Sequence, residues 1–326
     1  MGGDHGPEAT IEGVLMASKI HPNVKFKLFG DKNQSNYQLM EKRALDHEFI
    51  HTTESIKSED EPVNALRKLK KSSMRLGINQ VSSNEADGFV SAGNTGALMA
   101  ISKFVLKTLK GINRPAIAGL MPTLRGEIVI LDLGANIECT HINLVQFALM
   151  GETFAKALLG IKSPKIGILN VGSEEIKGNA IVKKTFEDLE KLSSKINFFG
   201  FIEGNDINKG IVDVVVTDGF SGNIALKTAE GVAELIVSFL QSAYKSSIIS
   251  KVGYLLSKPA LNRFKKRIDP RKYNGAVLLG LNGIVVKSHG GTDSFGFSNA
   301  ISSAVSLIEN DYNAAIKEKL SIYSNT

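Results

Sequence analysis

The sequence predicts an α/β protein whose parallel or mixed sheet is covered by helices on both faces. Three observations predict it. Short apolar runs alternate with longer amphipathic stretches along the chain. Glycine supplies 31 of 326 residues, above the usual ~7%, as an abundance of turns requires. The segments that follow several apolar runs are rich in Gly, Asn, Ser and Asp, and open α/β sheets bind ligands at such strand ends.

Taken in order, Glu8–Lys19 has helical periodicity and Val24–Phe29 the alternation of a strand. Residues 31–60 are polar and weakly periodic and receive no assignment. Glu61–Leu76 reads as a helix, and Gly88–Ser91 is a strand that feeds the helix Gly96–Leu109. Ala116–Leu120 and Glu127–Leu131 are short β-rich runs. Helix Ile142–Leu159, strand Lys165–Leu169, helix Asn179–Lys191 and strands Asn197–Phe201 and Val212–Thr217 continue the alternation. Helix Ile224–Ser242 follows. Val277–Leu281 and Ile284–Lys287 flank Asn282-Gly283, a hairpin signal, before a last helix over Phe297–Lys319. At this length the chain is expected to form one unit, residues 1–326, with two α/β lobes.

From Gly231 the apolar residues Val232, Leu235, Ile236, Phe239, Leu240 and Ala243 form one helical stripe. A second stripe, Ile248, Ile249, Val252, Leu255 and Leu256, is expected to be interrupted at Pro259. Such a pair is either a hairpin that docks on a second subunit or a helix packed on its own sheet. The charge is concentrated here. Between Lys245 and Lys272 nine basic residues face Asp269 alone, so this segment carries +8 and the remainder −2. A solvated face, an anionic membrane surface and an acidic protein partner all fit this arm at 231–272. Nucleic acid does not, because the basic charge is confined and no stacking aromatics accompany it.

Other classes are excluded. One cysteine, Cys139, permits no intrachain disulfide and no multi-cysteine metal site, and it lacks a basic activator. No apolar run approaches the ~18 residues of a membrane span, and MGGDHGPEAT has no signal-peptide character. No G-x-S-x-G elbow, Walker loop or G-x-G-x-x-G is present. Glu174, Glu175 and Asp218 are the one weak candidate for a carboxylate metal site.

Five loops carry the candidate chemistry. Ser91-Ala92-Gly93-Asn94-Thr95-Gly96 joins a strand to a helix, and its amides suit an anion; a capped tight turn is the alternative. Gly134-Ala135-Asn136 and Asn170 to Asn179 follow the next strands. Lys177 stands ahead of a helix, where a cation is either solvated or held for an anion. Asp218 to Asn223 and Ser288 to Asp293 close the remaining strands, and His5 and His289 both lie beside glycines.

Together the runs MGGDHGP, SAGNTGA, RPAI, LDLGAN, LVQFALMG, NVGSEEIKGN, DGFSGN and LLGLNGIVVKSHGGTD, in that order, resemble the phosphate acyltransferases of bacterial phospholipid synthesis. These are the acyl-carrier-protein:phosphate transacylases of the PlsX type. The resemblance implies a three-layer α/β/α fold like that of isocitrate and isopropylmalate dehydrogenases, with a protruding helical pair at 231–272. It implies a cytoplasmic homodimer in peripheral contact with the membrane, with no cofactor and no metal. The reaction implied is acyl-carrier protein plus inorganic phosphate giving acyl phosphate, for which a membrane-bound glycerol-phosphate acyltransferase is a further partner. Within the matched motifs, Ser91, Gly93, Asn94, Thr95 and Gly96, with Lys177, suit the phosphate. Asn136, Asp218 and Asn223 line the substrate site. Asn170, Asn136 or loop amides could donate to the oxyanion, and His5 or His289 could protonate the departing thiolate.

The chain departs from the family pattern in three places. Members carry a strand ahead of the Met-Gly-Gly-Asp-His-Gly run, so one strand fewer, or an upstream start, is expected. Ile137-Glu138 stands where Val-Asp is common, and Ser173 where an acid is common. Two rival readings are a metal-dependent decarboxylating dehydrogenase of the same fold and a membrane scaffold acting through the arm. The first needs an arginine-rich hydroxyacid site, and only Arg114 and Arg125 lie between residues 86 and 140. The second leaves the Gly-Asn loops without a purpose.

Overall fold

A computed structural model describes residues 1–33 and 47–324. The elements run α1 (Gly6–Ile20), β1 (Phe26–Gly30), β2 (His47–His51), α2 (Pro62–Lys68), α3 (Ser73–Ser82), β3 (Gly88–Ser91) and α4 (Thr95–Leu106). Then come β4 (Ala116–Pro122), β5 (Glu127–Leu131), α5 (His141–Leu159), β6 (Lys165–Leu169), α6 (Ala180–Glu190), β7 (Asn197–Ile202), α7 (Gly204–Ile207) and β8 (Val214–Val216). The chain closes with α8 (Gly219–Lys245), α9 (Ile248–Ile268), a 3-10 turn (Pro270–Tyr273), β9 (Ala276–Leu279), β10 (Ile284–Lys287), α10 (Ser294–Glu309) and α11 (Tyr312–Ser324).

Eight strands form one mixed sheet in the order β3-β10-β9-β4-β5-β8-β6-β7, and β1 pairs with β2 in a separate parallel pair. Alternate side chains of each strand leave by opposite faces. Val129, Leu131, Val214, Val216, Ile284 and Val286 enter one core with α5, α10 and α11. Ile128, Ile130, Val215 and Val285 enter the other with α3 and α4. Residues such as Ile78, Leu98 and Ile101 are wholly buried there, and each such side chain contributes about 1.5–3 kcal/mol of transfer free energy. The architecture is three-layer α/β/α, as expected.

Strand direction decides where the loops meet. β3, β10 and β4 run one way; β9, β5, β8, β6 and β7 run the other. The carboxyl ends of β3 and β10 therefore lie at one end of the sheet, and those of β5, β6 and β8 at the opposite end.

Several expectations are corrected. The helix expected over Glu61–Leu76 is two helices, because Ser72 caps a new one at Ser73. The last expected helix breaks between α10 and α11, where Asp311 has φ +47°. β2 lies in the stretch that received no assignment, and α7 was not foreseen. Pro259 does not interrupt α9. It is exposed, so the carbonyl it frees one turn earlier can bond to water.

The arm is a helical hairpin, α8 and α9, joined at Ser246-Ser247 with Tyr244 and Tyr254 in edge contact at 5.4 Å. Its apolar stripes are bare: Phe239 is 66% exposed, Ile249 85% and Leu256 80%. The alternative of a helix packed on its own sheet holds only for the first turns, where Ala225, Leu226 and Ala229 touch the core. Among the described residues no helix is long and apolar enough to cross a membrane.

Between β1 and β3 lies a cleft of about 620 Å³, lined by the consecutive residues Asn23–Asp31 on one side and Glu85–Ala92 on the other. Helices α1 and α10 cover it from one layer and α3 from the other.

Candidate functional site

At the carboxyl end of β3 and β10, three chain segments interlock through backbone contacts. A Cβ on Gly2 would lie 3.2 Å from the Gly93 Cα, and one on Gly3 3.3 Å from the Gly290 carbonyl oxygen. The Asp4 amide donates to Gly290 O at 2.9 Å. Only glycine lets these loops approach so closely, since Gly2 also holds φ +107°. The result brings His5, Ser91, Gly93, Asn94, Thr95, Gly96 and His289 to one place.

Three helices begin there. α1 starts behind His5, α4 behind Asn94 and α10 behind Asp293. Each helix N-terminus carries about half a positive charge. Asn94 caps α4 by accepting from the Ala97 amide at 3.0 Å, and its Nδ2 reaches the Ser58 and Asp60 carbonyls. Asn94 is thus committed to structure. Thr95 and Gly96 are exposed, and their amides open the helix to an anion. A side chain at Gly96 would meet Pro62 Cγ at 2.7 Å. Ser91 Oγ accepts from the Gly93 amide at 3.1 Å and shapes the turn.

The two histidines are held in complementary states. His289 Nδ1 accepts from the Gly291 amide at 3.1 Å, so the neutral ring carries its proton on Nε2 and presents a donor. His5 Nε2 lies 3.2 Å from Gly291 O, an acceptor, so its neutral ring has a free lone pair on Nδ1. Both rings are exposed. Lys287, which the sequence reading passed over, ends β10 beside them. Its ammonium donates to the Ala92 carbonyl at 3.4 Å and to the Ser288 carbonyl. Burial pushes its pKa down to about 8, against the pull of Asp4. A lysine closing an apolar run next to a Ser-His-Gly turn was the available signal.

The remaining candidates gather at the opposite end of the sheet. Buried Asp132 accepts from the amides of Ile117, Gly134, Ala135 and Asn136 and from Asn136 Nδ2, and burial raises its pKa despite these donors. Asn136 also donates to Pro115 O, and Asn223 to Leu133 O. Asp218 caps α8 through Ser221. Asn170 donates to the carbonyls of Gly172 and Lys177, which folds its loop upon itself. Exposed Lys177 makes no ion pair among the described residues. No hydrogen bond or ion pair among the described residues joins Asn136, Asn170, Lys177, Asp218 or Asn223 to the His5–His289 cluster.

The metal candidate also fails. Among the described residues no three His, Cys, Asp or Glu side chains converge as ligands, Glu174, Glu175 and Asp218 included. Cys139 is buried, and burial with Asp132 and Asp218 nearby pushes its thiol up to about 11, an inert state. Arg114 precedes β4 and Arg125 follows it, so the two arginines stand at opposite ends of that strand and form no shared hydroxyacid site.

Known proteins fit this picture. The chain is 53% identical over 322 residues to a phosphate acyltransferase of Paramagnetospirillum magneticum, covering 98% of this chain and 92% of that protein. It is 50% identical to a phosphate acyltransferase of Rhodospirillum rubrum at the same coverage. Among solved structures, a phosphotransacetylase from Streptococcus pyogenes superposes with a TM-score of 0.61 at 19% identity, over 93% of this chain and 92% of that one. One from Staphylococcus aureus gives 0.58 at 17% over the same shares. A likeness at that identity speaks for the fold. The model of a family described as fatty acid synthesis protein matches residues 1–315, nearly the whole chain, and the protein belongs to that family.

Proposed function

We propose that the protein is a phosphate acyltransferase that moves a fatty acyl group from acyl-carrier protein to inorganic phosphate, releasing acyl phosphate and free carrier protein. One observation carries the reading: three helix N-termini, a half-buried lysine and two oriented histidines meet at the end of β3 and β10. That collection suits a phosphate dianion beside an electrophilic carbon.

Phosphate is already an oxygen nucleophile, so no covalent enzyme intermediate is needed. Held by the Thr95 and Gly96 amides, a phosphate oxygen attacks the thioester carbonyl carbon while His5 Nδ1 accepts any proton it carries. His289 Nε2–H and Lys287 donate to the tetrahedral oxyanion. The C–S bond then breaks, and the pantetheine thiolate leaves with its electron pair and is protonated by His5, which carries the proton taken from the phosphate, or by water. Lys177 and Asn170, on the other rim, suit contact with the anionic carrier-protein substrate.

The bare apolar stripes of the arm suit pairing with the same arm of a second copy, giving a two-fold dimer. Its basic residues, clustered twice over, suit an anionic membrane surface at about 1 kcal/mol per residue, in keeping with a cytoplasmic enzyme that meets the bilayer peripherally. There its amphiphilic product would pass to a membrane-bound glycerol-phosphate acyltransferase. Release of carrier thiol from acyl-carrier protein, measured with and without phosphate, tests the reaction. Release that requires phosphate is expected, and release indifferent to phosphate overturns the reading. Replacing Arg263, Lys265 and Lys266 by Gln tests the arm: vesicle flotation should weaken with an unchanged KM for acyl-carrier protein. Arg267 is left intact because it holds Leu124 O at 2.9 Å.

A further inference from the structure

The arm returns to the sheet through a short linker, and that linker is laced to the His289 loop. Asn274, just past the 3-10 turn, makes four contacts there, the longest from its Nδ2 to Thr292 Oγ1 at 3.5 Å. Its Oδ1 accepts from the His289 amide at 2.8 Å, and its Nδ2 donates to Ser288 Oγ and to Gly296 O, both at 2.7 Å. One side chain thereby fixes both the turn that bears His289 and the first turn of α10. The next residue, Gly275, packs so tightly that a Cβ would lie 2.9 Å from Ala300 Cα, so the linker has little freedom to move away.

Arg271 extends the tie in the other direction. Its guanidinium bridges two carboxylates, Asp269 at the end of α9 at 2.6 Å and Asp293, the cap of α10, at 2.7 Å. It lies 5.3 Å over the Phe295 ring, and its carbonyl accepts from Asn299 Nδ2 at 2.9 Å. A planar fork that satisfies two carboxylates is a geometry lysine does not reproduce.

We propose that Asn274 is the positioning residue for His289, and that Arg271 fastens the linker carrying it to both the arm and the cap of α10. A displacement of the arm is thereby felt at the catalytic turn. The catalytic part rests on the phosphate acyltransferase reading; the mechanical tie does not.

Two measurements separate them. Hydrogen exchange on the full chain reads the tie. Asn274→Ala should speed amide exchange across residues 288–296 at least about tenfold, and Arg271→Gln should do so in both 269–273 and 288–296. Turnover reads the consequence. With phosphate-dependent carrier release as the assay, Asn274→Ala should lower kcat roughly tenfold or more while KM for acyl-carrier protein stays within about twofold. Arg271→Lys should recover less than half of the loss seen in Arg271→Gln. Unchanged exchange in 288–296 overturns the tie. Faster exchange with unchanged kcat overturns the positioning role. Should Asn274→Ala not fold, Asn274→Asp, which keeps the acceptor for the His289 amide and loses the Nδ2 donors, supplies the same two readouts. A wild-type protein without phosphate-dependent release defeats the functional reading and leaves the exchange result to judge the tie.

Discussion

The two ends of the sheet hold similar residues in opposite circumstances. At the carboxyl ends of β5, β6 and β8, the asparagines and aspartates are consumed by their own loops: Asp132 has five donors, and Asn136, Asn170 and Asn223 each bond to backbone carbonyls. At the ends of β3 and β10, glycine backbones do the joining, and exposed amides and imidazole nitrogens are left over for a ligand. Polar composition alone therefore does not mark a site. What marks it is a polar atom whose neighbours do not satisfy it.

If that comparison is right, substitutions at the first end cost stability, and those at the second cost rate. The largest effect is expected at Gly222. A Cβ there would run into Asp132 O, a backbone atom with nowhere to go. Gly222→Ala should lower unfolding free energy by about 3 kcal/mol or more in denaturant titration. His289→Ala should leave the denaturation midpoint in place and lower kcat roughly 100-fold, the scale of a lost hydrogen-bond donor to the oxyanion.

Lys177→Ala is the substitution that can break the comparison. β6 lies six strand spacings from β3, about 29 Å at the usual ~4.8 Å per strand, so a role for Lys177 requires a substrate as large as a carrier protein. The expected outcome is a stability change within ~0.5 kcal/mol and a ~10–150-fold loss in kcat/KM for acyl-carrier protein. Wild-type turnover would confine function to the β3–β10 end. Gly93→Val should raise the phosphate KM about tenfold, a modest effect because the added group first meets the flexible end of Met74, at 3.0 Å. An unchanged phosphate dependence removes that loop from the site.

The smallest effect is a pH slope. Lys287 has a folded pKa near 8 against an ordinary 10.5. Between those values the unfolded chain binds more protons, so stability contributed here rises with pH across that window. The slope is on the order of 1 kcal/mol per pH unit, and it should disappear in Lys287→Met when unfolding is followed from pH 8 to 10.

Much of the fold was legible because strand alternation and helix periodicity are local. Strands such as Glu127–Leu131 and Lys165–Leu169 have the expected bounds. Where a break is made by one residue's conformation, as at Asp311, periodicity runs straight through it. The site was half legible. The Gly93–Gly96 and Ser288–Asp293 loops were visible as glycine-rich strand ends. Strand direction was not, and it depends on β9 and β4 pairing antiparallel across the middle of the sheet. Lys287 was missed because its meaning lies in burial, and Asn274 because it acts on residues fifteen positions away.

The cleft between β1 and β3 has a consequence for handling the protein. Among the described residues, β1 pairs only with β2 and β3 only with β10, and the cleft lies between them, so an extended chain laid in the gap would meet backbone donors and acceptors on both sides. Open edges of this kind template association with any extended chain that reaches them. Light scattering of concentrated samples should therefore grow with a strongly concentration-dependent lag, and lysine placed at Phe29, on the face of β1 opposite the Leu28 core, should lengthen it.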